Sequence, residues 1–313
     1  MAEQHIGIIG SGLIGRSWAM LFAAQGYEVR LYDSVTSQVQ GALDDILKQL
    51  ENLKDLGLLR GKLSVKEQHG LIKQASSLKD CVAGAKYIQE CIPENIEWKK
   101  TLFSEIDKYV DEKTILASST SSMPASTFTS HIKNKSRCIV SHPTNPPYYC
   151  PMTEVCPAPY TESWVTETTL KLMKEIGQVP VLLKKELPGF ALNRIQYSIL
   201  TECWRLVQDD AISTEDLDKV MSEGLGMRYA FCGPFETIHL NAEGTENYCE
   251  RYGDMIYGIA SDFGPVPKME GPTREKIVAE MEGRFPLDTM MERRKRRDTK
   301  LTALAKLKKD MDN

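Results

Sequence analysis

No apolar run in the 313 residues approaches the roughly 20 that a membrane-spanning helix needs, because each is cut by charge first. The N-terminal "MAEQHIGIIG" has no basic segment ahead of an apolar one, so no secretory leader is expected. Charge of one sign is not in excess: 39 Lys and Arg against 43 Asp and Glu leave a formal net charge of -4, which argues against a nucleic-acid partner. The eight cysteines (81, 91, 138, 150, 156, 203, 232 and 249) contain no C-x-x-C pair and lie among apolar residues. They are expected to be reduced thiols in a cytoplasmic protein, with neither a zinc site nor a disulfide framework. No internal repeat is evident. With 42% hydrophobic residues the chain can bury a sizeable core, and its length suggests about two domains.

The most informative stretch is "HIGIIGSGLIGRSWAMLFAAQGYEVRLYD". An apolar strand runs into Gly10-x-Gly12-x-x-Gly15, and an apolar helix follows directly. Gly10 permits the tight turn, Gly12 lets the backbone approach a pyrophosphate, and Gly15 allows close helix–strand packing, with the phosphates meeting free N–H groups at the helix start. A second strand, "YEVRLYD", ends at Asp33, eighteen residues after Gly15. There a carboxylate can accept from a ribose diol and would repel a 2′-phosphate, so NAD is expected rather than NADP.

Between residues 35 and 75 the apolar positions Val39, Leu43, Ile46, Leu50 and Leu53 recur at steps of three and four, the stripe of an amphipathic helix. "SVKEQHGLIKQA" reads as a return helix, so this segment is predicted to be a helical hairpin inserted into an alternating pattern. The alternation resumes with strands in "KYIQECIP", "TILASS", "RCIVSH" and "PVLLKK" and intervening helices, which implies a mostly parallel sheet covered by helices. "KELPGFALNR" breaks the pattern at Pro188 and Gly189, and everything beyond reads helical. Two domains are therefore expected: 1–187, α/β and dinucleotide-binding, and 188–313, all-α. The basic "ERRKRRD" in the last helix reads as a solvated face.

In an open parallel sheet, ligands bind at the carboxyl ends of the strands. His142 follows the apolar "CIV" at such an end, Ser121 lies in the loop "SSTSSM" after "TILA", Glu154 falls in the next extended segment "MTEVC", and Asn193 opens the first helix past the break. Taking a hydride from an alcohol carbon requires a base for the hydroxyl proton, and an imidazole serves near neutral pH. His142 is the candidate base, Glu154 the group that orients it, and Ser121 and Asn193 the candidates to bond the substrate oxygen. Each has a plainer alternative: a lone histidine can be a satisfied structural group, and Ser121 can cap a helix starting near Pro124. Arg228, among glycines and apolar residues in "GLGMRYAF", could pair with a substrate carboxylate, bond local carbonyls or contact a second subunit.

"SSTSS", "HPTNPP", "TEV" and "GFALNRI", with Ser121, His142, Glu154 and Asn193 in order, resemble the motifs of the 3-hydroxyacyl-CoA dehydrogenase family. The resemblance implies a Rossmann domain followed by a helical substrate and dimerisation domain, a homodimer, NAD contacts at Leu13, Ile14, Asp33, Glu94 and Lys99, and a catalytic His142. The general family motif has an aromatic residue where this chain has Pro143, so the substrate pocket is expected to differ from that of the CoA enzymes. The resemblance further implies a free 3-hydroxy acid as substrate, L-gulonate being oxidised to 3-dehydro-L-gulonate. A CoA thioester substrate, or a bulk refractive role with NAD binding retained, are the alternatives.

Overall fold

In the computed structural model, which describes residues 5–311, the chain divides into two compact units. One runs to residue 194 and includes 298–307; the other comprises 195–297 and the residues from 308. Along the first unit run β1 (Ile6–Ile9), α1 (Leu13–Ala24), β2 (Val29–Tyr32), α2 (Thr36–Asp55), α3 (Val65–Leu71), β3 (Ile72–Gln74), α4 (Leu78–Val82), β4 (Tyr87–Glu90), α5 (Ile96–Ile106), β5 (Ile115–Ser118), α6 (Ser126–Thr129), β6 (Cys138–Pro143), β7 (Met152–Pro157), α7 (Ser163–Glu175) and β8 (Val179–Leu182). The strands form one sheet in the order β3-β2-β1-β4-β5-β6-β7-β8. Every neighbouring pair is parallel except β6 and β7.

Successive strand side chains point to opposite faces, and in a helix-covered parallel sheet both faces are buried. Accordingly Ile6, Ile8, Ile115 and Ile139 join Trp18, Phe22, Ile46 and Met173 in one core. Their neighbours Ile9, Leu116 and Val140 join Phe103, Ile106 and Phe128 in another. At about 25 cal/mol per Å² of apolar surface removed from water, this two-sided burial is the main stabilising term.

The hairpin departs from its expected form at its second arm. α2 buries Val39, Ala42, Ile46, Leu50 and Leu53 as its stripe requires. α3 starts at a capping box, in which Ser64 Oγ accepts from the Glu67 amide and Glu67 accepts from the Ser64 amide, but it ends at Leu71. Ile72–Gln74 then pair with β2 instead of continuing the helix. Edge pairing satisfies those backbone groups and buries the β-branched Ile72.

The first unit also extends past the break expected at 187. Glu154 Oε1 accepts from the amides of Ala191 and Leu192, and Asn193 Nδ2 donates to the Ser121 carbonyl, so the opening of α8 (Leu192–Gln208) packs with the sheet domain. The second unit is helical: the rest of α8, α9 (Thr214–Lys219), a π-helical turn (Val220–Leu225), α10 (Gly226–Tyr229), α11 (Pro234–Leu240), α12 (Thr245–Ser261), α13 (Gly271–Arg284) and part of α14 (Met290–Met311). Within it α9 is tied to α13 by Thr214, whose amide and hydroxyl donate to Glu280, and by an Arg284–Asp218 ion pair at 3.1 Å. No helix among the described residues is long and apolar enough to cross a membrane.

Candidate active site

Because β3, β2, β1, β4, β5 and β6 run the same way, their carboxyl ends share one edge. The strand order reverses between β1 and β4, the point at which a dinucleotide crevice opens. Gly10 turns the chain there with φ of 106°, and a Cβ on it would stand 2.7 Å from the Cys91 carbonyl oxygen. A Cβ on Gly12 would meet nothing within 4 Å, so open space lies in front of α1. That helix has no side-chain N-cap, which leaves its first amides to an anion. Leu13 is exposed and Ile14 half-buried on the same turn.

Asp33, just past β2, is held toward this turn. Its Oδ2 accepts from the amide and the hydroxyl of Ser11 at 2.8 Å each, and its Oδ1 from the Val35 amide at 3.0 Å. Burial alone would raise the Asp33 pKa, but the bonds from the Ser11 and Val35 amides and the Ser11 hydroxyl hold it below the usual carboxylate value. The aspartate is thus an anion at neutral pH. Open glycine turn, uncapped helix and fixed carboxylate together fit the phosphates and ribose of NAD.

The expected cofactor residues Glu94 and Lys99 lie differently from each other. Lys99, on α5, is only 1% exposed, and its ammonium bonds both oxygens of the fully buried Glu90 at 2.8 and 2.9 Å. Glu90 also accepts from Ser118 Oγ and the Ile92 amide. The Lys99 ammonium is thus enclosed, with Glu94 as a second carboxylate neighbour at 3.8 Å. Glu94, after β4, is part-exposed and accepts from Thr120 Oγ1 and from the amide and hydroxyl of Ser121. Ser121 caps no helix: α6 has Ala125 at its N-cap without a side-chain bond.

His142 sits in β6 directly across from Glu154 in the antiparallel β6–β7 ladder. Its Nδ1 is 2.8 Å from Glu154 Oε2. Burial pushes the Glu154 pKa up, but the bonds from His142 and from the Leu192 and Ala191 amides outweigh it and keep the carboxyl below its ordinary value. An ionised carboxylate only accepts, so the proton of this contact is on Nδ1, and Nε2 is the ring nitrogen that can take one. Phe190, fully buried and with φ of 50°, packs its ring 5.7 Å from the imidazole and closes that side. Ser121 and Asn193 are brought together by the Asn193 Nδ2 bond to the Ser121 carbonyl at 2.7 Å. Arg228 lies in the second unit, exposed on α10.

Several contributors escape a reading of motifs. Ser11 is visible as the variable position of the glycine motif, and Glu90 as an acid inside an apolar strand. Thr120 and Phe190 have no local signal. A buried network also carries the loop that holds Ser121: Ser119 Oγ accepts from Gln89 Nε2 at 2.6 Å and Trp18 Nε1 at 3.1 Å, and Gln89 accepts from Tyr87.

The chain is similar to known proteins along nearly its whole length. The description "3-hydroxyacyl-CoA dehydrogenase, NAD binding domain" matches residues 5–187, and that of the C-terminal domain matches residues 189–279. The lambda-crystallin homolog of Mus musculus is 48% identical over 312 residues, covering 99% of this chain and 98% of its own. An L-carnitine dehydrogenase of Oceanobacillus iheyensis is 29% identical over 310 residues, covering 98% of this chain and 99% of its own. Among solved structures, a 5-formyl-3-hydroxy-2-methylpyridine 4-carboxylic acid 5-dehydrogenase, described as an NAD+-dependent dismutase, superposes with a TM-score of 0.85 at 29% identity, over 97% of this chain and 98% of that one.

Proposed function

The chain belongs to the 3-hydroxyacyl-CoA dehydrogenase family, with an NAD-binding Rossmann domain and a helical C-terminal domain, and from that premise we propose that it oxidises the 3-hydroxyl of a free hydroxy acid, L-gulonate to 3-dehydro-L-gulonate. The observation that carries the chemistry is the 2.8 Å contact of His142 Nδ1 with Glu154 Oε2. NAD, when bound, supplies the acceptor for the hydride from C3. The protein's part begins with the hydroxyl proton, which passes to the lone pair on His142 Nε2 as the C3–O bond becomes a carbonyl. Glu154 holds the tautomer that exposes this lone pair and stabilises the imidazolium that forms. Ser121 and the second N–H of the Asn193 amide are the donors for the substrate oxygen. The turn at Gly10, Gly12, Leu13, Ile14 and Gly15 would hold the pyrophosphate, Asp33 would accept from a ribose diol, and Glu94 is the proposed NAD contact beside Ser121.

A free acid is favoured over a thioester by the likeness to L-carnitine dehydrogenases, whose named substrate is a free hydroxy acid, and by Pro143 beside the base. Arg228 is the proposed partner of the substrate carboxylate. Steady-state kinetics with L-gulonate, 3-hydroxybutyrate and acetoacetyl-CoA test the reading. We expect the highest kcat/KM with gulonate; turnover of the thioester alone would replace this reading with the CoA one, and no turnover of any would favour the refractive role.

The second unit exposes Phe235, Leu240, Tyr257 and Val266, each at least 66% accessible. Apolar exposure on that scale supports a homodimer joined through this half, and a monomer mass in sedimentation at micromolar concentration would refute it. The eight free cysteines support a cytoplasmic location.

A further inference from the structure

Behind the site lies a buried polar cluster in which every side-chain proton has an assigned acceptor. Gln89, in β4, is fully buried; its Nε2 donates to Ser119 Oγ at 2.6 Å and to the Ser141 carbonyl at 3.2 Å, and its Oε1 accepts from the Tyr87 hydroxyl at 2.9 Å. The carbonyl only accepts, which fixes the orientation of the amide. Tyr87 has given its proton to Gln89, so Ser141 Oγ is the donor in their 2.9 Å contact. Ser119 Oγ accepts from Gln89 and from Trp18 Nε1 at 3.1 Å, so its own proton goes to Cys91 Sγ at 3.2 Å.

The cluster spans three strands. Gln89 stands opposite Ala117 of β5 in the parallel register, and the small methyl group there lets the amide cross β5 to reach β6. What the amide grips at each end bears on the chemistry: Ser119 opens the loop that carries Ser121, and Ser141 is the residue before His142. Successive strand residues face opposite sides. Ser141 accordingly joins Tyr87 on one face, while the His142 ring packs on Phe190 on the other, so Gln89 acts on the base only through the backbone.

We propose that Gln89 is a positioning residue of the reaction: by holding the Ser119 hydroxyl and the Ser141 carbonyl on one amide group, it sets the separation between Ser121, the donor to the substrate oxygen, and His142, the base. The inference rests on the roles proposed above for those two residues. The place calls for two donors and an acceptor on one long side chain, which glutamine supplies; an ionised glutamate only accepts, and lysine and arginine only donate. A buried cluster with all its bonds made is stiff, because loss of any one strands a polar group away from water. Stiffness matters here, since a misplacement of about 1 Å between reacting groups costs on the order of 100-fold in rate.

Gln89→Met keeps the length of the side chain and removes all three bonds. It should lower kcat for L-gulonate about 10- to 100-fold, with the NADH dissociation constant, read by fluorescence on the full chain, within about twofold of wild type, as for sites that do not couple. Ser119→Ala cuts the same link by removing one oxygen, and should act in the same sense. A cluster that served the fold alone would lower Tm without any dependence on Ser121, so the deciding measurement is a double-mutant cycle. In the Ser121→Ala background no hydroxyl is left to misplace, and adding either substitution should cost no more than about threefold further in kcat. Circular dichroism confirms folding, and Ser119→Ala decides alone if Gln89→Met does not fold. A folded variant with the kcat of wild type overturns the proposal, as does a loss that persists undiminished without the Ser121 hydroxyl. Failure of the gulonate reading registers separately, as a wild type that spares gulonate but turns over 3-hydroxybutyrate or acetoacetyl-CoA, with which the cycle is then measured; a wild type that turns over none of the three overturns both.

Discussion

A Cβ placed on Gly15 would lie 1.9 Å from the carbonyl oxygen of Gly10. The first helical turn of α1 is thus pressed against the turn that ends β1, and the obstructing carbonyl belongs to backbone that cannot step aside without moving the glycine turn. Gly15→Ala should cost about 2 kcal/mol, the scale of overpacking, which for a unit the size of the first one lowers its Tm by roughly 4–8 °C. NADH affinity should fall by tenfold or more because the α1 amides shift. Thermal denaturation and NADH titration check this, and a variant matching wild type in both would show that the turn accommodates a methyl group.

His142 and Glu154 separate by degree. His142→Gln should lower kcat with the hydroxy acid by about 10²–10⁴-fold, the range for loss of a general base, with NADH affinity nearly unchanged. Glu154→Gln should be milder, since the imidazole remains but its tautomer is no longer enforced. A folded His142→Gln protein that turns over substrate within about threefold of wild type would end this account of the base.

Acid stability should carry the mark of Glu154. Its carboxyl pKa is lowered in the folded protein, since the bonds from His142, Leu192 and Ala191 outweigh its burial. As pH falls below the unfolded value of about 4.3, the unfolded chain binds the proton first. Stability contributed by the ionised group is therefore complete above that value and is lost as pH drops through the lowered folded one. Glu154→Gln should be less stable than wild type near neutrality, and the gap in Tm should narrow toward about pH 3. A constant gap across that range would show that the carboxylate's charge is not what stabilises the β6–β7–α8 junction.

Asp33 should decide between the two nicotinamide dinucleotides. Asp33→Ala removes the proposed acceptor for a ribose diol and releases Ser11, whose amide and hydroxyl it holds. NADH binding should weaken by about 1–3 kcal/mol, the scale of lost hydrogen bonds to a charged group, while NADPH binding should weaken less or improve once the repelling charge is gone. An unchanged NADH dissociation constant would remove Asp33 from the cofactor site.

For Arg228, the expectation is a separation of Michaelis constants. Arg228→Met should raise KM for gulonate at least about tenfold, as loss of a charge-assisted pair would, with KM for NAD within about twofold of wild type. Equal rises in both would return Arg228 to a structural role.

Much of this protein is legible in its order of residues because the relevant physics is local. The glycine spacing at 10, 12 and 15, the acid at 33, the apolar stripe of α2 and the change to helix beyond Gly189 each depend on neighbours within a turn or two, and on periodicities that a strand or a helix imposes by itself. The candidate base could be read too, since His142 ends an apolar run. Tertiary structure decided what depends on pairing across the sheet. Nothing local states that β7 runs antiparallel to β6, yet that reversal sets Glu154 opposite His142. A shift of one residue in the register would turn the carboxylate to the other face. Nor does local pattern show that Lys99 turns inward onto Glu90, or that Ile72 leaves α3 to join β2. Those outcomes follow from which buried polar groups and open strand edges find partners, and the partners are brought together only when distant segments meet.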